Sequence, residues 1–273
     1  MPYFDTTDGV GLFYKDWGTG KPVVFIHGWP VNADMWEYQM APLARQGLRC
    51  IAYDRRGFGR SAQPVGGYDY DTLADDLKAL LDTLDLHDVT LVGFSMGGGE
   101  IARYLARHGS ARIAKAVLVA SVVPYLLKTP DHPDGADRSI FDQMVSGLVA
   151  DRPHFLATFS RSFYGAGILS SPVSNEVLQW TLWMAMMASP IATIDCVRAF
   201  SETDFRPDLA AFTLPTLVIH GDADQTVPAG ISGKAAAAGI SGAVYKEYPG
   251  APHGLFMTEK DRLASDLLEF IRT

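Results

Sequence analysis

The chain has 273 residues, 48% of them hydrophobic, enough for one large α/β domain, or a domain with an insertion, around a substantial core. A net charge of −8 excludes the basic footprint that nucleic-acid binding requires. The only two cysteines, Cys50 and Cys196, sit among apolar neighbours and read as buried free thiols of a reducing compartment rather than a disulfide framework.

Met1 to Asp5 has neither a basic start nor an apolar run, so no signal peptide is expected. Pro2–Thr6 and Val10–Trp17 read as a hairpin turning at Asp8-Gly9. Pro22–Ile26 is a continuous apolar run, as in a strand buried on both faces, and it ends in the loop His27-Gly28-Trp29-Pro30. Met35–Arg45 is expected to be helical and Leu48–Tyr53 to be the next buried strand. Gly57-Phe58-Gly59-Arg60-Ser61-Ala62 then matches G-x-G-x-x-A, but Gln63-Pro64 and Gly66-Gly67 continue the loop where a dinucleotide site would open a helix. A polar turn near the strand ends is the better reading.

Thr72 with Asp75 resembles a capping box, and Leu73, Leu77, Leu80, Leu81 and Leu84 then fall on one helical face. Val89–Val92 is strand-like and leads into Gly93-Phe94-Ser95-Met96-Gly97. This is the G-x-S-x-G pattern between an apolar strand and a helix that runs through Arg107. Ala114–Val122 is read as another strand. Strand and helix alternating in this way predict a parallel sheet with helices on both faces and a ligand site at the strands' carboxyl ends.

The alternation stops at Pro124. From there to about Asp208 no buried strand is evident, only helical stretches carrying Phe141, Met144, Phe155, Phe159, Phe163, Trp180, Trp183, Met184, Met186 and Met187. These are expected to pack mainly as core, with some lining a cavity under a helical cap. Val177–Ile194 carries no charge over about the length of a membrane span, but Pro190 and several polar residues interrupt it, which favours a buried helix pair. Strands resume at Leu214–Gly221 and Val244–Tyr248, with an alanine-rich helix between them and a final helix from near Thr258. The expected division is a core of residues 1–123 and 209–273, with residues 124–208 inserted as the cap.

A serine hydroxyl needs a base within hydrogen-bond reach before it can act as a nucleophile. His87, His108, His132 and His154 read as surface residues. His27 and His220 close buried strands, where backbone contacts usually satisfy a histidine. His253 lies in a loop after the last strand, between Pro252 and Gly254, and is the expected base for Ser95. Asp224 is the expected acid behind it, with Asp222 shaping the turn, and the order serine, acid, histidine is the hydrolase one. Backbone N–H groups of Trp29 and Met96 are the expected oxyanion donors. The histidines lack ligand spacing such as H-E-x-x-H, so no metal or other cofactor is expected.

Together, Gly93–Gly99, His27–Pro30, Asp54–Ser61, His220–Asp224 and Ala251–Gly254 resemble the α/β-hydrolase family, and within it the bacterial aryl esterase and cofactor-free haloperoxidase (perhydrolase) branch. The resemblance covers essentially the whole chain. It implies a mostly parallel eight-stranded sheet with an inserted α-helical cap, and a serine esterase working through an acyl-enzyme on Ser95. It also implies acyl transfer to hydrogen peroxide as a second reaction, in a homo-oligomer. Composition and the absence of a signal peptide or membrane span give the expectation of a cytoplasmic protein without membrane or nucleic-acid partners. Candidate pocket residues are Pro30, Val122, Phe159, Phe163 and Val227. Pro30 either turns the Trp29 carbonyl toward the acyl centre or merely stiffens the loop. An amidase or γ-lactamase on the same residues, or a ligand receptor that keeps the fold without turnover, are the alternatives.

Overall fold

The computed structural model describes residues 2–167 and 171–273. Eight strands form one sheet in the order β1-β2-β4-β3-β5-β6-β7-β8: β1 (Tyr3–Asp5), β2 (Gly11–Trp17), β3 (Lys21–Ile26), β4 (Leu48–Tyr53), β5 (Val89–Phe94), β6 (Ile113–Val119), β7 (Thr216–Gly221) and β8 (Val244–Tyr248). The first two strands are the hairpin and run antiparallel, whereas β3 to β8 are all parallel. β5 is central and buried at every position, which is why it reads as an apolar run without alternation.

Helices cover both faces. α1 (Glu37–Arg45) follows a 3-10 turn at Ala33–Trp36, so the expected helix from Met35 starts as a tighter coil, with the Asn32 side chain accepting from the Asp34 N–H. α2 (Tyr70–Thr83) begins before the expected capping box. Asp69 is its N-cap, accepting from the N–H of Thr72, so Thr72 and Asp75 already lie inside the helix. α3 (Met96–His108) follows β5, and α7 (Gly233–Gly239) lies between β7 and β8. The last helix is two pieces, α8 (Leu255–Thr258) and α9 (Lys260–Arg272), the second burying Leu263, Leu267 and Ile271.

β6 stops at Val119, short of the expected Val122. Ala120 takes a positive φ of 45°, and Val122 turns to donate its N–H to the Ser95 carbonyl. Between β6 and β7 the chain forms the cap: α4 (Arg138–Phe163), α5 (Asn175–Met186) and α6 (Pro190–Glu202). α4 breaks at Asp151, just before Pro153, where the ring removes a backbone donor. The uncharged stretch 177–194 divides between α5 and α6, which meet at 97°. Among the described residues no single helix is long and apolar enough to cross a membrane. Two residues expected to be core, Trp183 and Met187, are instead exposed.

Candidate active site

The turn between β5 and α3 sets the site. Ser95 has φ 52° and ψ −116°, a combination an L-residue adopts only under constraint. Its N–H donates to the Val119 carbonyl, and its own carbonyl accepts from Gly98 and Val122, so bonds to both neighbouring segments hold the strain. A Cβ at Gly93 would stand 2.5 Å from the Gly97 carbonyl oxygen, and one at Gly97 would stand 2.5 Å from that of Ile26. The turn is therefore packed backbone against backbone, and against the end of β3. Gly93→Ala is expected to destabilise the fold by about 1–3 kcal/mol, as overpacking does, read as a lowered urea midpoint.

Ser95 Oγ lies 3.0 Å from Nε2 of His253, whose Nδ1 is 2.6 Å from Asp224 Oδ2. These side chains come from the turn after β5, the loop after β8 and the loop after β7. With Nδ1–H donating to the carboxylate, Nε2 is left as the acceptor facing the serine hydroxyl. Both His253 and Asp224 are buried. Burial alone would raise the Asp224 pKa, but His253 beside it and the bonds from His220 and His253 outweigh that and hold the carboxyl well below its ordinary range. Its other oxygen accepts from the N–H groups of Thr226 and Val227, at 2.9 and 2.8 Å. Asp222 is exposed and accepts from the Gly250 N–H, bridging the two loops that carry Asp224 and His253.

Two strand-end histidines do more than their positions in the sequence indicated. His220 Nε2 lies 2.9 Å from the Val227 carbonyl and 3.2 Å from Asp224 Oδ2, so its N–H is shared between two acceptors and steadies the carboxylate. His27 is wholly buried beside Arg55. Its Nε2 accepts from the Arg55 backbone N–H at 3.0 Å, so Nδ1 carries the proton and donates to the Gly28 carbonyl at 2.8 Å. Burial and the Arg55 charge depress the His27 pKa well below its usual value, keeping the ring neutral. Arg55 is in turn paired with Glu100 of α3 in a pocket closed to solvent, with Tyr53 donating to the same carboxylate.

The Gly28 carbonyl and the Trp29 N–H belong to one planar peptide group, so His27 fixes the direction of that N–H. Among the described residues neither the Trp29 nor the Met96 backbone N–H finds an acceptor, although both residues are buried. The Met96 N–H is also the first of α3, where the helix favours negative charge. Two free donors thus flank the turn that carries Ser95.

Ser95 and His253 open onto a cavity of about 380 Å³. Its wall is largely apolar, with Phe141, Met144, Phe155 and Phe159 from α4, Phe200 from α6 and Val122 beyond β6. Val227 and the Trp29 ring also face it. Among the described residues no Asp, Glu, Lys or Arg side chain lines the cavity. Two expected pocket residues are elsewhere. Phe163 is buried behind the histidine, packed edge-on against His253 and Phe94 and tilted against Phe159. Pro30 is buried in the loop after β3 and does not reach the cavity.

The G-x-G-x-x-A match is accounted for as a turn. Asp54 accepts from the backbone of Ala33 and Arg60 and pairs with the Arg60 guanidinium, closing the loop at the end of β4. The two cysteines are buried and unpaired, and burial pushes both thiols up to about 12. Among the described residues no three His, Cys, Asp or Glu side chains cluster as metal ligands would.

Comparison with known proteins gives concordant results. A model of the alpha/beta hydrolase fold matches residues 21–260. A non-heme chloroperoxidase of Kitasatospora aureofaciens is 45% identical over 99% of both chains. A bifunctional esterase/perhydrolase of Acinetobacter calcoaceticus is 42% identical over the whole of both. The crystal structure of a bromoperoxidase from Bacillus anthracis superposes with a TM-score of 0.96 at 46% identity, covering 100% of this chain and 99% of that one.

Proposed function

The chain belongs to the α/β-hydrolase family, and we propose that it is a serine carboxylesterase of the aryl esterase type that also transfers acyl groups to hydrogen peroxide. The observation that carries this reading is the unbroken relay from Ser95 Oγ through His253 to Asp224 at one end of an apolar cavity. His253 takes the Ser95 proton as the oxygen attacks the ester carbonyl, and the oxyanion forms against the Trp29 and Met96 N–H groups. The proton then passes to the departing alcohol, leaving an acyl-enzyme on Ser95. Water activated by His253 releases the acid, whereas hydrogen peroxide in its place releases a peracid, which oxidises halide outside the pocket.

The cavity wall bears on substrate choice. A carboxylate on the acyl chain would lose its hydration there without gaining a partner. Neutral p-nitrophenyl esters are therefore expected to exceed the p-nitrophenyl monoester of a dicarboxylic acid in kcat/KM by at least about tenfold. In the same preparation, acetate with hydrogen peroxide should yield peracid, and a γ-lactam should turn over far more slowly than either ester. Fast lactam cleavage without ester turnover would move the assignment to amidase, and no turnover of any activated ester would favour the receptor alternative.

His27 is a positioning residue in this scheme. His27→Leu removes the hold on the Gly28–Trp29 peptide and is expected to lower kcat by about 10²-fold, with KM little changed. His27→Asn can offer an N–H near the position of Nδ1 and should restore part of the loss. Equal defects in the two variants would mean that the ring serves packing alone. A cytoplasmic location and a homo-oligomer complete the proposal. The buried free thiols suit the first, and light scattering on the purified protein reads the second.

A further inference from the structure

We infer that Met144 is the site at which the protein is modified by its own product, its thioether being oxidised to the sulfoxide by peracid formed at Ser95. The inference rests on the perhydrolase half of the reading above. Of the nine methionines, Met144 is the one that lines the cavity shared by Ser95 and His253 among the described residues. It sits on α4 between Phe141 and Leu148, partly buried, so the reagent it meets first is whatever occupies the cavity. Met187 provides the contrast. It is 41% exposed at the end of α5, with its sulfur accepting from the Asn32 amide, and does not line the cavity, so a bulk oxidant should reach it more readily than Met144.

The chemistry balances with hydrogen peroxide as the only added oxidant. Peroxide gives a proton to His253 and adds to the acyl carbonyl. The bond from that carbon to Ser95 Oγ then breaks, the proton returns to Ser95, and the peracid is free in the cavity. The Met144 sulfur attacks the terminal peroxy oxygen, the O–O bond breaks, and an S–O bond forms. Sulfur loses two electrons, the peroxy group is reduced to a carboxylic acid, and the peroxy proton ends on that acid. Peracid transfers oxygen to a thioether more readily than hydrogen peroxide does, because carboxylate is the better leaving group. Among the described residues the apolar wall has no other thioether to compete, and confinement raises the effective concentration of the reactants.

The product places a polar S–O group in an apolar wall, so binding of neutral acyl groups should weaken as turnover proceeds. The sulfoxide is a substrate for methionine sulfoxide reductases, which makes the modification reversible.

The experiment is peptide mass spectrometry on the full-length protein after incubation with acetate and hydrogen peroxide, with peracetic acid measured in the same sample by bromination of monochlorodimedone. Oxidation at Met144 is expected to run at least about tenfold ahead of Met187, as befits a reagent made within reach of its target. Hydrogen peroxide alone, or peracetic acid added to Ser95→Ala, should reverse that order. Peracid accumulating while Met144 lags Met187 would overturn this inference and leave the perhydrolase reading standing. Oxidation of Met144 ahead of Met187 in Ser95→Ala would also overturn it, since the site would then be reactive without product formation. Absence of peracid would remove both.

Discussion

Replacing Ser95 by alanine is expected to abolish ester turnover, lowering kcat for p-nitrophenyl acetate by roughly 10⁴–10⁶-fold, the range seen when a residue of such a relay is removed. The loss follows from chemistry rather than from folding. Among the described residues the hydroxyl bonds to His253 alone, while the strained backbone of the turn is held by Val119, Gly98 and Val122 through main-chain atoms that alanine keeps. The urea midpoint should therefore move little, and binding of a neutral substrate analogue should persist because the apolar wall is untouched. Residual rate would come from the Trp29 and Met96 donors and from binding alone. A variant that keeps more than a few per cent of activity would remove the acyl-enzyme from the account.

Asp224→Asn is the second large effect, with kcat expected to fall about 10⁴-fold while the side-chain volume is nearly conserved. An amide can donate as well as accept, so it no longer requires His253 to present Nδ1–H, and the ring is free to take the tautomer that points a proton at Ser95. His220, whose N–H already leans toward the same oxygen, cannot replace the lost charge. Stability gives an independent check. The folded pKa of Asp224 lies below the unfolded value of about 3.9, so its stabilising contribution is fully present above that pH and is lost as pH falls toward the folded pKa. The difference in urea midpoint between wild type and Asp224→Asn should accordingly hold constant above about pH 5 and shrink as the pH falls from there through about pH 3. A constant difference would mean that the carboxylate charge contributes nothing to the folded state.

Much of the architecture is legible along the chain for a simple reason. A central parallel strand is buried on both faces, so β3, β4, β5 and β7 appear as short apolar runs, and each ends in glycine or polar residues where the chain leaves the sheet. Gly93 and Gly97 are legible because a local steric demand of the turn selects them. Ser95, Asp224 and His253 stand out because each lies beyond the carboxyl end of a strand, and a parallel sheet brings such ends together.

What the sequence hides depends on contacts between distant segments. His27 and His220 carry no local mark separating a ring that merely closes a strand from one that holds the Gly28 peptide or the Asp224 carboxylate. Phe159 and Phe163 stand one helical turn apart on α4, yet one faces the cavity and the other the back of His253. That choice is set by the rings that meet the end of α4, Phe94 and Phe256 beside His253, and not by the pattern itself. The N-cap of α2 falls at Asp69 rather than Thr72, although Thr72 and Asp75 fit the capping-box pattern as well as Asp69 fits a simple cap, and only backbone geometry separates them.

In the proposed reaction a serine hydroxyl, activated through His253 and Asp224, attacks an acyl carbon whose oxygen rests between two backbone amides. A crystal structure of the protein inhibited with a p-nitrophenyl alkylphosphonate tests this directly. The expected result is phosphorus bonded to Ser95 Oγ, its oxygen within hydrogen-bond distance of the Trp29 and Met96 nitrogens, and its alkyl chain against Val122 and Phe159. Phosphorus bonded to another residue, or a phosphonyl oxygen directed away from both amides, would contradict it.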